Sequence, residues 1–207
     1  MRTSVMRTFG LLLTLAASAT LADDTPVPAR SYSDFIKGQN AFNGWEFLGS
    51  TKLTVQAAST AVVAFPERDL LMVVVDVTGY SGADVASLRF NGDSGANYWW
   101  RHLQSAAAAT TFTNTQGLSA TLCQLGGTAV VQGRSVQVFI TNFKTVSKAA
   151  TIRTQNNTNA AATGGILALG GCEWVNTTAQ ITSVQMLNAG ANQLTVGSGF
   201  AVFGKNL

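Results

Sequence analysis

Leu88-Arg89-Phe90-Asn91-Gly92-Asp93-Ser94-Gly95-Ala96-Asn97-Tyr98 is a short apolar run, a dense turn, and the entry to an aromatic run. Asn-Gly followed by Asp-Ser-Gly supplies several residues that tolerate positive φ, so the backbone can reverse sharply between two strands. Arg89, Phe90, Asn91, Gly92, Asp93, Gly95, Asn97 and Tyr98 therefore read as a structural turn that holds a corner of a rigid β-scaffold. No ordinary catalytic motif lies in it.

Working outward, Leu70–Val77 is the most apolar run, and its length and β-branched content predict a central strand. Gly79 to Gly82 reads as the next turn and Val85–Phe90 as the strand leading into the corner. Trp45–Leu48 and Thr51–Val55 read as edge strands, and Ala61–Phe65 as a strand ended by Pro66. Beyond the corner, Tyr98–His102 is extended, and Ala106–Ala109 is the one place where a short helix competes. Thr128–Val131, Ser135–Ile140, Lys148–Thr154, Ile166–Trp174, Gln180–Leu187 and Phe200–Gly204 read as further strands. Gln155 to Asn159 reads as a polar loop, and Gly170-Gly171 as an interruption. About ten short strands at this spacing predict an antiparallel β-sandwich, jelly-roll-like, over residues 45–207. Residues 23–44 read as a linker or arm, broken up by Pro26 and Pro28.

Composition sets the broad class. Of 207 residues, 46% are hydrophobic and 11% charged, against about 25% charged in average domains. Gly, Ser, Thr, Ala and Asn replace the charge, which favours neutral surfaces that pack against neighbours. Setting aside Arg2 and Arg7 leaves eleven basic against ten acidic residues. There is no basic cluster, so nucleic-acid binding has no electrostatic footprint. Residues 1–22 match a secretory signal peptide, with Arg2 and Arg7, an apolar Phe9–Ala17 and small residues before Asp23. An apolar segment that anchors into a partner protein is the alternative. No stable membrane span is expected, because no run of about 20 apolar residues occurs. Cys123 and Cys172 are either a disulfide closing a long loop or two buried thiols.

Chemistry is thin. Asn91, Asp93 and Asn97 offer oxygens to a Ca²⁺, but one carboxylate is few for that ion, and turn chemistry explains the set. We expect no metal and no cofactor. His102 is the single histidine, and Gly197-Ser198-Gly199 lacks the spacing of a nucleophile elbow and precedes a strand. Glu46, Glu67, Asp69, Asp76, Asp84, Asp93 and Glu173 are scattered, without a sequence signature of a carboxylate dyad. Asn156-Asn157-Thr158 and Asn176-Thr177-Thr178 match glycosylation sequons of a kind that arises easily in a Thr- and Asn-rich chain. We expect no catalytic residues and a protein that is not an enzyme. Trp99 and Trp100 fall on opposite faces of a strand. One is expected in the core and the other is a candidate contact residue.

Three stretches together resemble a family of tailed-bacteriophage virion proteins. They are Trp45-Glu46-Phe47-Leu48-Gly49, the corner Leu88–Tyr98, and Ile181–Met186 followed by Gly197-Ser198-Gly199-Phe200-Ala201-Val202-Phe203-Gly204. The resemblance covers about residues 45–204. It implies a β-sandwich displayed on a virion, tail-associated or capsid-decorating, non-enzymatic and homo-oligomeric. Its implied partners are other virion proteins and, on the host surface, a glycan or receptor. The N-terminus departs from that family's pattern, since virion proteins do not need export. An exported carbohydrate-binding or adhesive module, secreted rather than in a virion, is the alternative.

Overall fold

The computed structural model describes residues 44–105, 112–127, 129–157 and 167–207. The strands are β1 (Glu46–Lys52), β2 (Val63–Ala64), β3 (Leu70–Asp84), β4 (Ala86–Phe90), β5 (Tyr98–Ser105), β6 (Phe112–Ala120), β7 (Cys123–Gln124), β8 (Val130–Thr141), β9 (Lys148–Asn157), β10 (Leu167–Trp174), β11 (Ser183–Asn188) and β12 (Gly199–Lys205). They form an eight-stranded sheet, β1-β12-β3-β8-β9-β10-β5-β6, and a four-stranded sheet, β2-β11-β4-β7. All recorded pairings are antiparallel. This is the expected antiparallel β-sandwich, with sheets of unequal size. The proposed arm at 23–44, the N-terminal segment and the Ala106–Ala109 stretch lie outside the described residues, apart from Gly44. Among the described residues no helix is long and apolar enough to cross a membrane.

Alternation builds the core. Leu71, Val73, Val75 and Val77 of β3 face inward beside Val136, Val138 and Ile140 of β8. The small sheet returns Leu88, Phe90, Val184 and Met186 from the other side, all fully buried. A fully buried aliphatic or aromatic side chain contributes about 1.5–3 kcal/mol relative to an exposed one, so this layer is what holds the sheets together. A disulfide between Cys123 of β7 and Cys172 of β10, with Cα atoms 5.7 Å apart, crosses from one sheet to the other.

Several elements differ from the sequence reading. The expected turn at Gly79–Gly82 is strand: β3 runs through it, because Ser81 and Thr195 find backbone partners across the gap at Gln193 and Gly79. The register with β8 shifts there, between Gly79 and Asp84. The expected break at Gly170-Gly171 is also strand. A Cβ on Gly170 would lie 2.1 Å from the His102 ring, so the glycine allows close approach rather than a turn. Gln155, Asn156 and Asn157 continue β9 because they pair with Ser135, Arg134 and Gly133. Glu46 to Lys52 is one strand with an irregularity between Phe47 and Gly49, not the end of one strand and the start of another. Strand β6 was not expected at all.

Candidate functional site: the corner and the outer sheet face

The corner turns as its residue types require. Asn91 and Gly92 have φ of 51° and 69°, and the Asp93 amide donates to the Phe90 carbonyl at 2.9 Å. Two successive positive φ values suit Asn-Gly. Asn91 then ties the corner to β11: its Oδ1 accepts from the Thr182 and Ser183 amides at 2.8 and 3.0 Å, and its Nδ2 donates to the Gln180 carbonyl at 2.8 Å. The stretches of the resemblance thus meet in pairs. β4 with its corner lies against β11, and β1 against β12.

Asp93 is consumed by the same frame. Its carboxylate accepts from the Gly95 amide at 2.8 Å, Asn97 Nδ2 at 3.0 Å and the buried Trp174 indole at 2.7 Å. Desolvation pushes the carboxyl pKa up, but these hydrogen bonds outweigh it and hold the group below the ordinary carboxylate value. Tyr98 completes the corner. Its hydroxyl accepts from the Phe90 amide at 3.0 Å and donates toward the Asp93 carbonyl at 3.2 Å. Burial pushes this phenol up to about 12. These atoms are occupied within the fold, so the corner is scaffold rather than a ligand site. Among the described residues no group of three or more His, Cys, Asp or Glu is placed to hold a metal ion.

His102 is fully buried, and its Nε2 lies 2.8 Å from the Gln124 carbonyl. That contact makes Nε2 the protonated nitrogen, and Nδ1 faces the interior without a partner. Burial lowers its pKa. Ser198 bonds Thr78 instead, at 3.1 Å to its amide. The carboxylates are dispersed as well. Glu67 pairs with Lys144 at 2.9 Å and Glu46 with Arg68. Asp84 accepts from the Val85, Gly190 and Asn192 amides at 2.7, 3.0 and 3.1 Å. Of the sequons, Asn176 Oδ1 accepts from the Thr178 and Ala179 amides, both at 2.9 Å, in a local turn.

The two tryptophans divide as their alternation requires. Trp100 is partly buried against the core, its ring 5.6 Å from that of His102. Trp99 lies on the outer face of the large sheet, 39% exposed, and its indole donates to Glu173. It borders an open groove of about 480 Å³ with Ala96, Asn97, Arg101, Leu118 and Val175. Trp174 is core, and Trp45 packs edge-on against Phe139, ring centroids 6.4 Å apart.

Beside Trp99 the outer face carries a contiguous apolar patch. Leu169 lies directly opposite Leu103 in the ladder, and Leu167 and Phe112 flank Ser105 on either side. Leu103, Leu167, Leu169, Phe112 and Leu118 are 48%, 54%, 51%, 66% and 70% exposed. The sequence reading missed this patch. Its one local signal was Phe112 and Leu118 an even number of residues apart, and the polar Asn114 and Gln116 between them, with Asn and Gly poor strand formers, hid the strand.

No protein-family model matches this chain, and no curated protein matches it. Among solved structures it is similar to Scytalido-glutamic peptidase bound to a peptide-based transition state analog, with a TM-score of 0.30 and 14% identity over 73% of this chain and 74% of that one. That protein is a peptidase, and the finding overturns the expectation that this chain is not an enzyme. The expectation is withdrawn. A likeness at this TM-score assigns no catalytic role to any residue here.

Proposed function

We propose that this protein is a structural component of a bacteriophage virion surface, tail-associated or capsid-decorating, that assembles through the outer face of its large sheet. The observation that carries the reading is the patch of Leu103, Leu167, Leu169 and Phe112, with Trp99 and Leu118 on the same face beyond the Arg101–Gln116 row. Large apolar side chains gathered on one face, with Arg101, Arg153 and Glu173 at the margin, mark a surface that is covered in use. The stretches that resemble virion proteins also pair with one another, β1 with β12 and β4 with β11, as parts of one domain would.

One observation favours an exported adhesive or carbohydrate-binding module beside it. The Cys123–Cys172 disulfide is buried between the sheets, and such bonds persist in oxidising compartments. The experiment is the intact mass of the protein from its natural source, with purified particles measured alongside. A full-length chain in particles supports the virion reading. A chain cleaved near Ala19 or Ala22, in the medium and without particles, overturns it and leaves the exported module.

A further inference from the structure

The two edges of the eight-stranded sheet are built differently. Strand β1 carries Glu46 and Lys52 and an irregularity at Gly49, devices that discourage edge pairing. Strand β6 runs for nine residues, carries no charge and no proline, and is regularly paired with β5 from Phe112 to Gly117. Among the described residues nothing pairs with its other side. The edges of the small sheet, β2 and β7, are two residues each. An exposed, long, uncharged edge is a template for another strand.

The sequence of that edge states which strand. In Phe112-Thr113-Asn114-Thr115-Gln116-Gly117-Leu118 the outward-facing positions Phe112, Asn114, Gln116 and Leu118 are chemically palindromic about Thr115. We infer that β6 pairs antiparallel with β6 of a second copy across a twofold axis through Thr115, joining two eight-stranded sheets into one. This register sets Phe112 opposite the second copy's Leu118, Asn114 opposite Gln116, and Thr115 opposite Thr115. Thr113 falls opposite Gly117 on the inner face, the outer-face oppositions match like chemistry, and no two charges are placed together. Phe112 and Leu118 are the most exposed large apolar residues of the outer face, and the register covers each with the other. Both outer faces lie on the same side, and each apolar patch is extended across the seam by the second copy's Leu118. Seven overlapping residues supply about six to eight backbone hydrogen bonds. The nearest charge, Arg101, lies one strand in and is held at 2.6 Å by Gln116 Oε1. The two copies of Arg101 would stand about 16 Å apart, three strand spacings across and two residues along, beyond strong repulsion at physiological salt.

This inference rests on the assembly reading above for its setting and adds the partner, a second copy, and the contact. The test is sedimentation equilibrium of the purified full chain over a concentration series. Wild type is expected as a dimer. Asn114→Glu with Gln116→Glu sets like charges opposite each other twice and should weaken the dimer at least about tenfold. Asn114→Lys with Gln116→Glu sets opposite charges there and should keep it. Thermal melts of both variants check folding. In wild type, hydrogen exchange over residues 112–118 should slow as concentration rises, a readout that needs no variant. A monomer at every concentration, a dimer indifferent to the double glutamate, or exchange independent of concentration overturns the inference. A dimer missing from particles would sink the virion reading alone, and a monomer found in particles would sink the edge contact alone.

Discussion

Asp93 and His102 show how single residues set the acid response of this fold. Asp93 is held below the ordinary carboxylate value of 3.8 by the hydrogen bonds it accepts. Its contribution is present above that value and is lost as pH falls through the lowered one. Asp93→Ala also strands the buried Trp174 indole, and we expect a loss of about 1–3 kcal/mol in denaturant unfolding at neutral pH. His102 acts in a higher window. Burial lowers its pKa below 6.5, so on acidification the unfolded chain takes up the proton first and stability declines from about that pH downward. His102→Gln should flatten the decline in melting temperature between neutral pH and the onset of the carboxylate effect. An unchanged slope would show that other groups carry it. Tyr98→Phe removes the acceptor of the buried Phe90 amide and should cost about 1–3 kcal/mol by the same unfolding measurement.

At the scale of elements, the disulfide between β7 and β10 links the sheets across a sequence separation of 49 residues. Replacing both cysteines by alanine should lower the unfolding free energy by about 2–4 kcal/mol. Reductant should shift the denaturant midpoint of wild type and leave the double variant unmoved. Most strands were legible from alternation and turn residues, as with β4, β12 and the corner between β4 and β5, whereas β8, read as two strands around Gly133, is one. The misread ones share a cause. Gly79, Gly82, Gly170 and Gly171 look like turn residues locally, yet each lies within a strand whose neighbours satisfy its backbone. β6 has no strand pattern of its own and is recognised only with β5 beside it.

For the whole molecule, the large sheet keeps one face in the core and offers the other outward. Trp99→Ala should change unfolding free energy by less than about 1 kcal/mol, as at other partly exposed positions. If the proposed virion reading holds, it should weaken attachment to particles by about thirtyfold, the effect of removing a contact hot spot. Equilibrium unfolding and a particle-binding titration check the two halves. A collapse of folding would mean that Trp99 belongs to the core.

The sequence by itself determined the all-β class, the corner at Asn91-Gly92 and the opposed faces of Trp99 and Trp100, because these follow from local conformational preference and a period of two. It also confined the disulfide to one pair, since Cys123 and Cys172 are the two cysteines present. Only the tertiary structure decided that Asp93 serves the Trp174 indole and that His102 is buried. It alone gathered Leu103, Leu167, Leu169 and Phe112 into one patch beside an unpaired edge. Leu103 and Phe112 lie on consecutive strands, but Leu167 and Leu169 come from β10, far along the chain, and its place beside β5 is a property of strand order, which local sequence does not carry.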